Sequence, residues 1–189
     1  MSTSTSAQLS PETLHKLFSA SLTYRDRAYA PYSKFRVGAA LLCEDGTIVG
    51  GCNVENASYG AGICAERTAI TKAISEGYNR FLAVAVSSDV PAPTTSPCGI
   101  CRQFLREFLQ PHIPIYFISS TYPSSSSSST SSSGSSTEPP AFLSDLSRNL
   151  EGSDTEAIAA AKEYVIKMTM EELLPNSFGP DNLGMAEPH

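Results

Sequence analysis

The chain has 189 residues, of which 41% are hydrophobic and 17% charged, so we expect one domain with a buried core rather than a disordered chain. No apolar run approaches the about 20 residues that a membrane span needs, and residues 1–10 lack the pattern of a signal peptide, so we expect a cytoplasmic protein. Of the net charge of −6, residues 120–163 carry −4, so the remainder is nearly neutral; with no lysine- or arginine-rich block, it favours a small uncharged ligand over a nucleic acid.

The predicted elements alternate between helices and strands. A helix begins at Ser10-Pro11-Glu12, where a hydroxyl can cap the first turn, and its apolar stripe continues to about Tyr29. Strands at 35–42 and 47–54 flank Glu44-Asp45-Gly46, which is typical of a hairpin turn. The remaining predicted elements are helices at 64–76 and 98–109 and strands at 81–87, 113–118 and 164–169. This order predicts an α/β fold with a sheet covered by helices.

The composition changes abruptly after Ser119. Residues 124–136 contain only serine, one threonine and one glycine, and such side chains offer nothing to bury. The strand-like pattern resumes at Tyr164. We therefore predict a single domain over 1–189 that is interrupted by a serine-rich insertion at about 120–163.

Three cysteines at the starts of two predicted helices are the main candidates for chemistry. Cys64 begins one helix, and Cys98 and Cys101 lie within the first turn of another. Helix N-termini favour thiolates, and three thiolates can bind Zn²⁺ while the fourth tetrahedral position stays open for water. Glu66 can then carry the proton of that water, and Arg67 can offset the thiolate charge.

Other interpretations of these residues remain open at this point. A Cys-x-x-Cys pair can be a redox pair or half of a structural zinc site, and a zinc-stabilised binding module needs no catalysis. A purely structural site, however, has no use for Glu66. We interpret Cys43 and Cys52 as small buried side chains in strands.

The helix starts Cys64-Ala-Glu-Arg-Thr-Ala69 and Ser96-Pro-Cys-Gly-Ile-Cys-Arg-Gln103 resemble those of the zinc-dependent cytidine deaminases. The segments 31–40, 51–56 and 171–178 are similar to the small, homotetrameric nucleoside branch of that family. The resemblance extends from about residue 10 to 119 and from 164 to 183. It departs at the insertion, because members of the family usually join those two strands by a short turn.

The resemblance implies a three-layer α/β/α fold with a mixed five-stranded sheet and one Zn²⁺ per chain held by Cys64, Cys98 and Cys101. It implies hydrolytic deamination of cytidine and 2′-deoxycytidine to uridine and 2′-deoxyuridine in pyrimidine salvage, in which zinc-hydroxide attacks C4 and Glu66 transfers the proton. It also implies a homotetramer with shared active sites. The residues that would contact the nucleoside are Phe35, Asn53, Glu55, Ala57, Tyr59, Ala65 and Phe178.

Within the same family, a nucleotide or polynucleotide deaminase is the alternative. It would need a basic surface or a phosphate clamp, and the sequence shows neither. Arg102 and Arg106 lie one helical turn apart, a spacing that favours a solvated helix face or a subunit contact.

Overall fold

The structure is a computed structural model that describes residues 9–92, 94–123 and 164–185. Most of the predicted insertion, 124–163, lies outside these described residues. None of the helices in the described ranges has the length and apolar character needed to cross a membrane.

Five strands form one mixed sheet. They are β1 (Val37–Cys43), β2 (Ile48–Cys52), β3 (Phe81–Ser88), β4 (Pro114–Ile118) and β5 (Val165–Thr169). The strand order is β2-β1-β3-β4-β5, in which β3 and β4 are parallel and the other neighbours antiparallel. The parallel pair needs a crossover, which the helix between β3 and β4 supplies.

Helices cover both faces of this sheet. They are α1 (Pro11–Arg25), α2 (Ala65–Ser75), α3 (Gly99–Phe108) and α4 (Met170–Leu173), with short 3-10 helices at Tyr59–Ala61 and Pro180–Leu183. The predicted cap is present, since the Ser10 hydroxyl accepts a hydrogen bond from the Thr13 amide.

Alternation along the central strands divides the interior into two cores. One faces α2 and α3 and takes Ala39, Leu41, Val84, Val86, Ile115 and Phe117 from the strands. The other faces α1 and takes Ala40, Leu42, Ala83, Ala85, Tyr116 and Ile118. Successive side chains of a strand point to opposite faces of the sheet. Both faces of these strands are covered by helices, which is why the strands contain few polar residues. The predicted three-layer α/β/α arrangement with a mixed five-stranded sheet is confirmed.

Two glycines allow the helices to approach the sheet closely. A Cβ at Gly38 would lie 2.0 Å from the Ser21 carbonyl oxygen of α1, and one at Gly51 would lie 2.5 Å from the Ala69 nitrogen of α2. Any larger residue would push the helix away from its strand. The contact at Gly51 helps fix the distance of α2, and hence of its cysteine-bearing start, from the sheet.

Three sequence predictions differ from the structure. The first helix ends at Arg25 rather than near Tyr29, because the chain turns so that Tyr29 can form a β-bridge with Val54. The first strand begins at Val37 rather than Phe35, since Lys34 has a φ of 59° and the chain is still turning there. Cys52 is partly exposed rather than buried, because it ends its strand.

The loops that lead into the two cysteine-bearing helices lie at the same edge of the sheet. The register pairs Gly38 with Cys52 and Val37 with Ser88, so β2 and β3 both end at the edge where β1 begins. The loops that follow β2 and β3 lead directly to α2 and α3. Residues far apart in sequence are therefore brought together at this edge.

Candidate active site

The three predicted cysteine ligands converge. Cys64 and Cys98 are the residues that immediately precede α2 and α3, and Cys101 lies in the first turn of α3. Their Sγ atoms all lie within 4.8 Å of one another, and those of Cys64 and Cys98 are 3.9 Å apart. A tetrahedral zinc site with Zn–S bonds of about 2.3 Å places its sulfurs about 3.8 Å apart. The spacing of the sulfurs therefore fits zinc.

The surroundings of Cys64 favour its thiolate. A hydrogen bond from the Cys101 thiol, with help from Arg67 and Cys98, lowers the pKa of Cys64 to about 5. The same hydrogen bond, followed by burial, raises the pKa of Cys101. The Arg67 Nη2 atom lies 3.9 Å from the Cys64 Sγ. The hydrogen bond to Cys64 raises the pKa of Arg67, so this side chain is a cation that offsets thiolate charge.

Glu66 lies beside this cluster and reaches the same cleft. Its side chain is buried, and burial, followed by the nearby Cys64 charge, raises the pKa of its carboxyl group. A raised pKa favours the protonated form of a carboxyl group, and a group that can hold and release a proton is suited to general acid–base catalysis. Glu66 is therefore equipped for acid–base chemistry at the thiolate cluster.

A cleft of about 780 Å³ opens over the cluster. Eight of the residues singled out from the sequence line it: Phe35, Asn53, Glu55, Tyr59, Cys64, Glu66, Arg67 and Cys98. Tyr32, Val54 and Ile100 add apolar surface that the sequence analysis missed. An apolar cleft with a few polar groups at one end suits a small, flat ligand.

Glu55 holds the turn that carries one wall of the cleft. Its carboxylate accepts hydrogen bonds from the Tyr32 amide at 2.9 Å, the Ser33 amide at 3.2 Å and the Ser33 hydroxyl. The Ser33 hydroxyl oxygen also accepts from the Phe35 amide at 3.0 Å. The hydrogen bond from the Ser33 hydroxyl lowers the pKa of Glu55, so this carboxylate is charged at neutral pH. Glu55 thus fixes the turn that leads to Phe35.

Asn53 fixes the same wall from the other side. Its side-chain oxygen accepts from the Val37 amide at 2.8 Å, and its side-chain nitrogen donates to the Phe35 carbonyl at 2.9 Å. The ring of Phe35, 39% exposed, is thereby held at the cleft. The side-chain oxygen of Asn53 can accept one further hydrogen bond, and its side-chain nitrogen can donate one more.

Four predicted site residues do not line the cleft of their own chain. Cys101 and Ala65 are buried beneath it. Ala57 is exposed in the loop before the short helix Tyr59–Ala61. Phe178 is 59% exposed and follows α4.

Two arginines of α3 have roles that the sequence analysis missed, because it placed them on a solvated face or a subunit contact. Arg102 donates to the Pro97 carbonyl at 2.8 Å and the Leu173 carbonyl at 3.3 Å, which ties the loop before Cys98 to α4. Arg106 is only 5% exposed and bonds to Ser177 and Asp181. Leu173, Ser177 and Asp181 lie 71 to 75 residues away, so no local pattern could have identified these partners.

The family model described as "Cytidine and deoxycytidylate deaminase zinc-binding region" matches residues 11–117. A cytidine deaminase of Sporosarcina psychrophila is 53% identical over 103 residues, which cover 54% of this chain and 75% of that protein. A probable cytidine deaminase of Dictyostelium discoideum is 52% identical over 100 residues, which cover 53% of this chain and 68% of that protein. The crystal structure of a cytidine deaminase from Burkholderia pseudomallei superposes with a TM-score of 0.61 at 32% identity, covering 87% of this chain and 98% of that one.

Proposed function

The chain belongs to the cytidine and deoxycytidylate deaminase family, and we propose that it hydrolyses cytidine and 2′-deoxycytidine to uridine and 2′-deoxyuridine with release of ammonia. Membership in the family confirms the resemblance found in the sequence. The observation that carries the proposed reaction is the buried Glu66 carboxyl group beside three converging sulfurs, two of which, those of Cys64 and Cys98, belong to residues that line the same cleft as Glu66. In a cell, this reaction would serve pyrimidine salvage in the cytoplasm.

Cys64, Cys98 and Cys101 would hold one Zn²⁺ per chain, and zinc, when bound, activates water for hydrolysis. Arg67 offsets part of the negative charge of the thiolates. Glu66 accepts the proton of the attacking water and passes it to N3 of the cytosine ring as C4 is attacked. The same carboxylate then takes the second proton from the hydroxyl group now bonded to C4 and delivers it to the amino group, which leaves as ammonia as the C4 carbonyl forms.

The cleft wall would bind the nucleoside. The ring of Phe35 is placed to pack against the flat base, and the amide of Asn53 and the carboxylate of Glu55 can bind the ribose hydroxyls with the positions that their internal bonds leave free. Ala65 would contribute through its backbone at the start of α2, next to Cys64.

We also propose that the sites are shared within a homotetramer. Phe178 does not line the cleft of its own chain and keeps 59% of its surface exposed, while Tyr59 at the mouth of the cleft is 82% exposed. These exposures support a role for Phe178 over the base in a neighbouring copy, with Ala57 and Tyr59 at the contact between copies. Exposed aromatic side chains of this kind are common at protein interfaces.

The first test of the proposed function is the activity itself. Purified protein with its metal intact should release ammonia from cytidine and reduce the absorbance of the cytosine ring, and a zinc chelator should abolish both. Zinc without turnover of cytidine or deoxycytidine would contradict the proposal and favour a binding module. Thiol–disulfide exchange without bound metal would favour a redox protein.

Cytidine monophosphate should be a poorer substrate than cytidine. Arg67 is the one basic side chain among the described residues that line the cleft, and it faces the thiolates, whereas Glu55 adds negative charge at the cleft wall. A phosphate would therefore be repelled by Glu55 and would find no basic side chain free to pair with it among the described residues that line the cleft. The kcat/KM values of the two substrates test this, and a higher value for the monophosphate would favour a nucleotide deaminase.

Replacing Glu55 by Gln should raise the KM for cytidine about tenfold, with zinc content and kcat nearly unchanged. The variant keeps the length of the side chain but loses the charge and one acceptor for the Tyr32–Ser33 turn. If Glu55 also binds the ribose, the increase should be smaller for 3′-deoxycytidine. An unchanged KM would contradict both roles.

A further inference from the structure

Side chains of helix α3 form hydrogen bonds with Phe178 and with residues on both sides of it. The Gln103 side-chain nitrogen donates to the Phe178 carbonyl at 3.0 Å. Arg106, one turn further, donates through Nε to the Ser177 hydroxyl at 2.9 Å and through Nη2 to the Asp181 carboxylate. The helix whose first turn supplies Cys98 and Cys101 therefore also holds the segment 177–181.

Arg106 is the centre of this contact. It is 5% exposed, and a Cβ at Gly179 would lie 2.4 Å from its Cζ atom, so the backbone of the segment packs directly on the guanidinium. A buried guanidinium whose donors are satisfied by the segment costs free energy if that segment moves away. The backbone around Phe178 is thus fixed to α3 while the Phe178 ring remains 59% exposed.

We propose that Arg106 is a positioning residue for the reaction: it fixes the segment 177–181 so that the Phe178 ring projects, already oriented, into the cleft of a neighbouring copy. The proposal rests on the proposed function and on its shared sites. A ring held in its bound orientation loses less conformational entropy when it packs on the base, so the benefit appears in substrate affinity. The chemical step and the metal depend on other residues.

A double-mutant cycle tests the coupling. Phe178→Ala and Arg106→Ala should each raise the KM for cytidine by about tenfold, as expected for the loss of one aromatic contact. The double variant should be no worse than Phe178→Ala alone, and zinc content and kcat should stay near those of the parent protein. The matched control is Arg102→Ala on the same helix. Arg102 donates hydrogen bonds to Pro97 and Leu173 rather than to the segment 177–181, so the effect of this variant on KM should add to that of Phe178→Ala.

Mixed assemblies test whether the ring acts in a neighbour. Chains with Arg106→Ala keep an intact Glu66, and chains with Glu66→Gln keep a well-placed Phe178. When the two are co-expressed with different tags and purified together, clefts of the first chain should regain the KM of the parent protein. No recovery in an assembly that contains both chains would overturn the proposal.

Position 178 can also be followed without any turnover. The sequence contains no tryptophan, so Phe178→Trp introduces a single tryptophan whose fluorescence can be excited apart from that of the tyrosines. Adding Arg106→Ala to it should lower the fluorescence anisotropy of the side chain and increase its quenching by acrylamide. If cytidine is not deaminated but this change is seen, the proposed function fails while the positioning by Arg106 stands.

Milder variants keep the proposal testable if Arg106→Ala does not fold. Ser177→Ala removes one acceptor of the guanidinium, and Gly179→Ala forces the segment away from it. Both should raise KM and, combined with Phe178→Trp, increase the mobility of the fluorescent reporter without loss of zinc. Two results would overturn the proposal, because each would show that Arg106 acts only in stability. One is an effect on KM that simply adds to that of Phe178→Ala, and the other is a fall in kcat with loss of zinc.

Discussion

Replacing Glu66 by Gln should reduce the kcat for cytidine by about 10²- to 10⁴-fold, the usual contribution of general acid–base catalysis, while the protein keeps its zinc. Gln has nearly the same shape, so the buried position stays filled, but its amide can neither take up the proton of water nor deliver it to the base. The three sulfurs are untouched, since Glu66 is not one of the converging ligand atoms. Steady-state kinetics and a zinc assay on the same sample measure both outcomes.

The matched control for Glu66→Gln is Glu76→Gln at the other end of α2. Glu76 is exposed and follows the last residue of the helix, so the same chemical change there should leave kcat unaltered. Activity retained by the Glu66 variant would remove this residue from the proposed proton transfer. Loss of zinc from it would point instead to a role in holding the metal.

Replacing Cys101 by Ala should abolish zinc binding and all measurable deamination. Cys101 is the fully buried member of the cluster and one of only three sulfurs in the site among the described residues, so its removal leaves two ligands and a void. The parent protein should be stabilised by zinc, because a ligand that binds only the folded state raises the melting temperature. The variant should lose that dependence. Metal analysis and thermal melts with and without added zinc measure these effects.

Cys52→Ala provides the comparison for this experiment. Cys52 is a partly exposed cysteine at the end of β2 whose thiol points to the Arg27 carbonyl, outside the cluster. Its variant should bind zinc and deaminate cytidine like the parent protein. Zinc bound equally well by the Cys101 variant would contradict the three-sulfur site.

Local signals in the sequence predicted most of the elements and the chemical centre. The run 81–87 predicted a strand buried on both faces, and the cysteines at two helix starts predicted one metal site, because each signal depends on neighbouring residues. The ends of helices and strands were predicted less well where long-range contacts determine them. The first helix ends at Arg25 rather than near Tyr29, because Tyr29 forms a bridge with Val54.

The roles of polar side chains were harder to predict than the fold. The sequence identified Glu55 only through a family resemblance, whereas the structure shows it also holding the turn at Tyr32 and Ser33. Arg106 looked like a solvated residue because its partner Ser177 is separated from it by 70 intervening residues. Burial of a charged side chain by a distant segment leaves no local pattern, and only the folded chain reveals it.

At the same end of the sheet as the loop from β3 to α3, the Ser119 amide donates to the Tyr164 carbonyl at 2.8 Å, so the 44 residues between them connect two points of the chain that are in direct contact. Each doubling of a connection adds only about 0.6 kcal/mol to the cost of closing it, so growth from a turn of about five residues to about forty costs about 2 kcal/mol. Five residue pairs hold β4 and β5 in antiparallel register directly next to this junction. The junction is therefore a place where the chain can lengthen at low cost in free energy while the two strands that it joins stay paired.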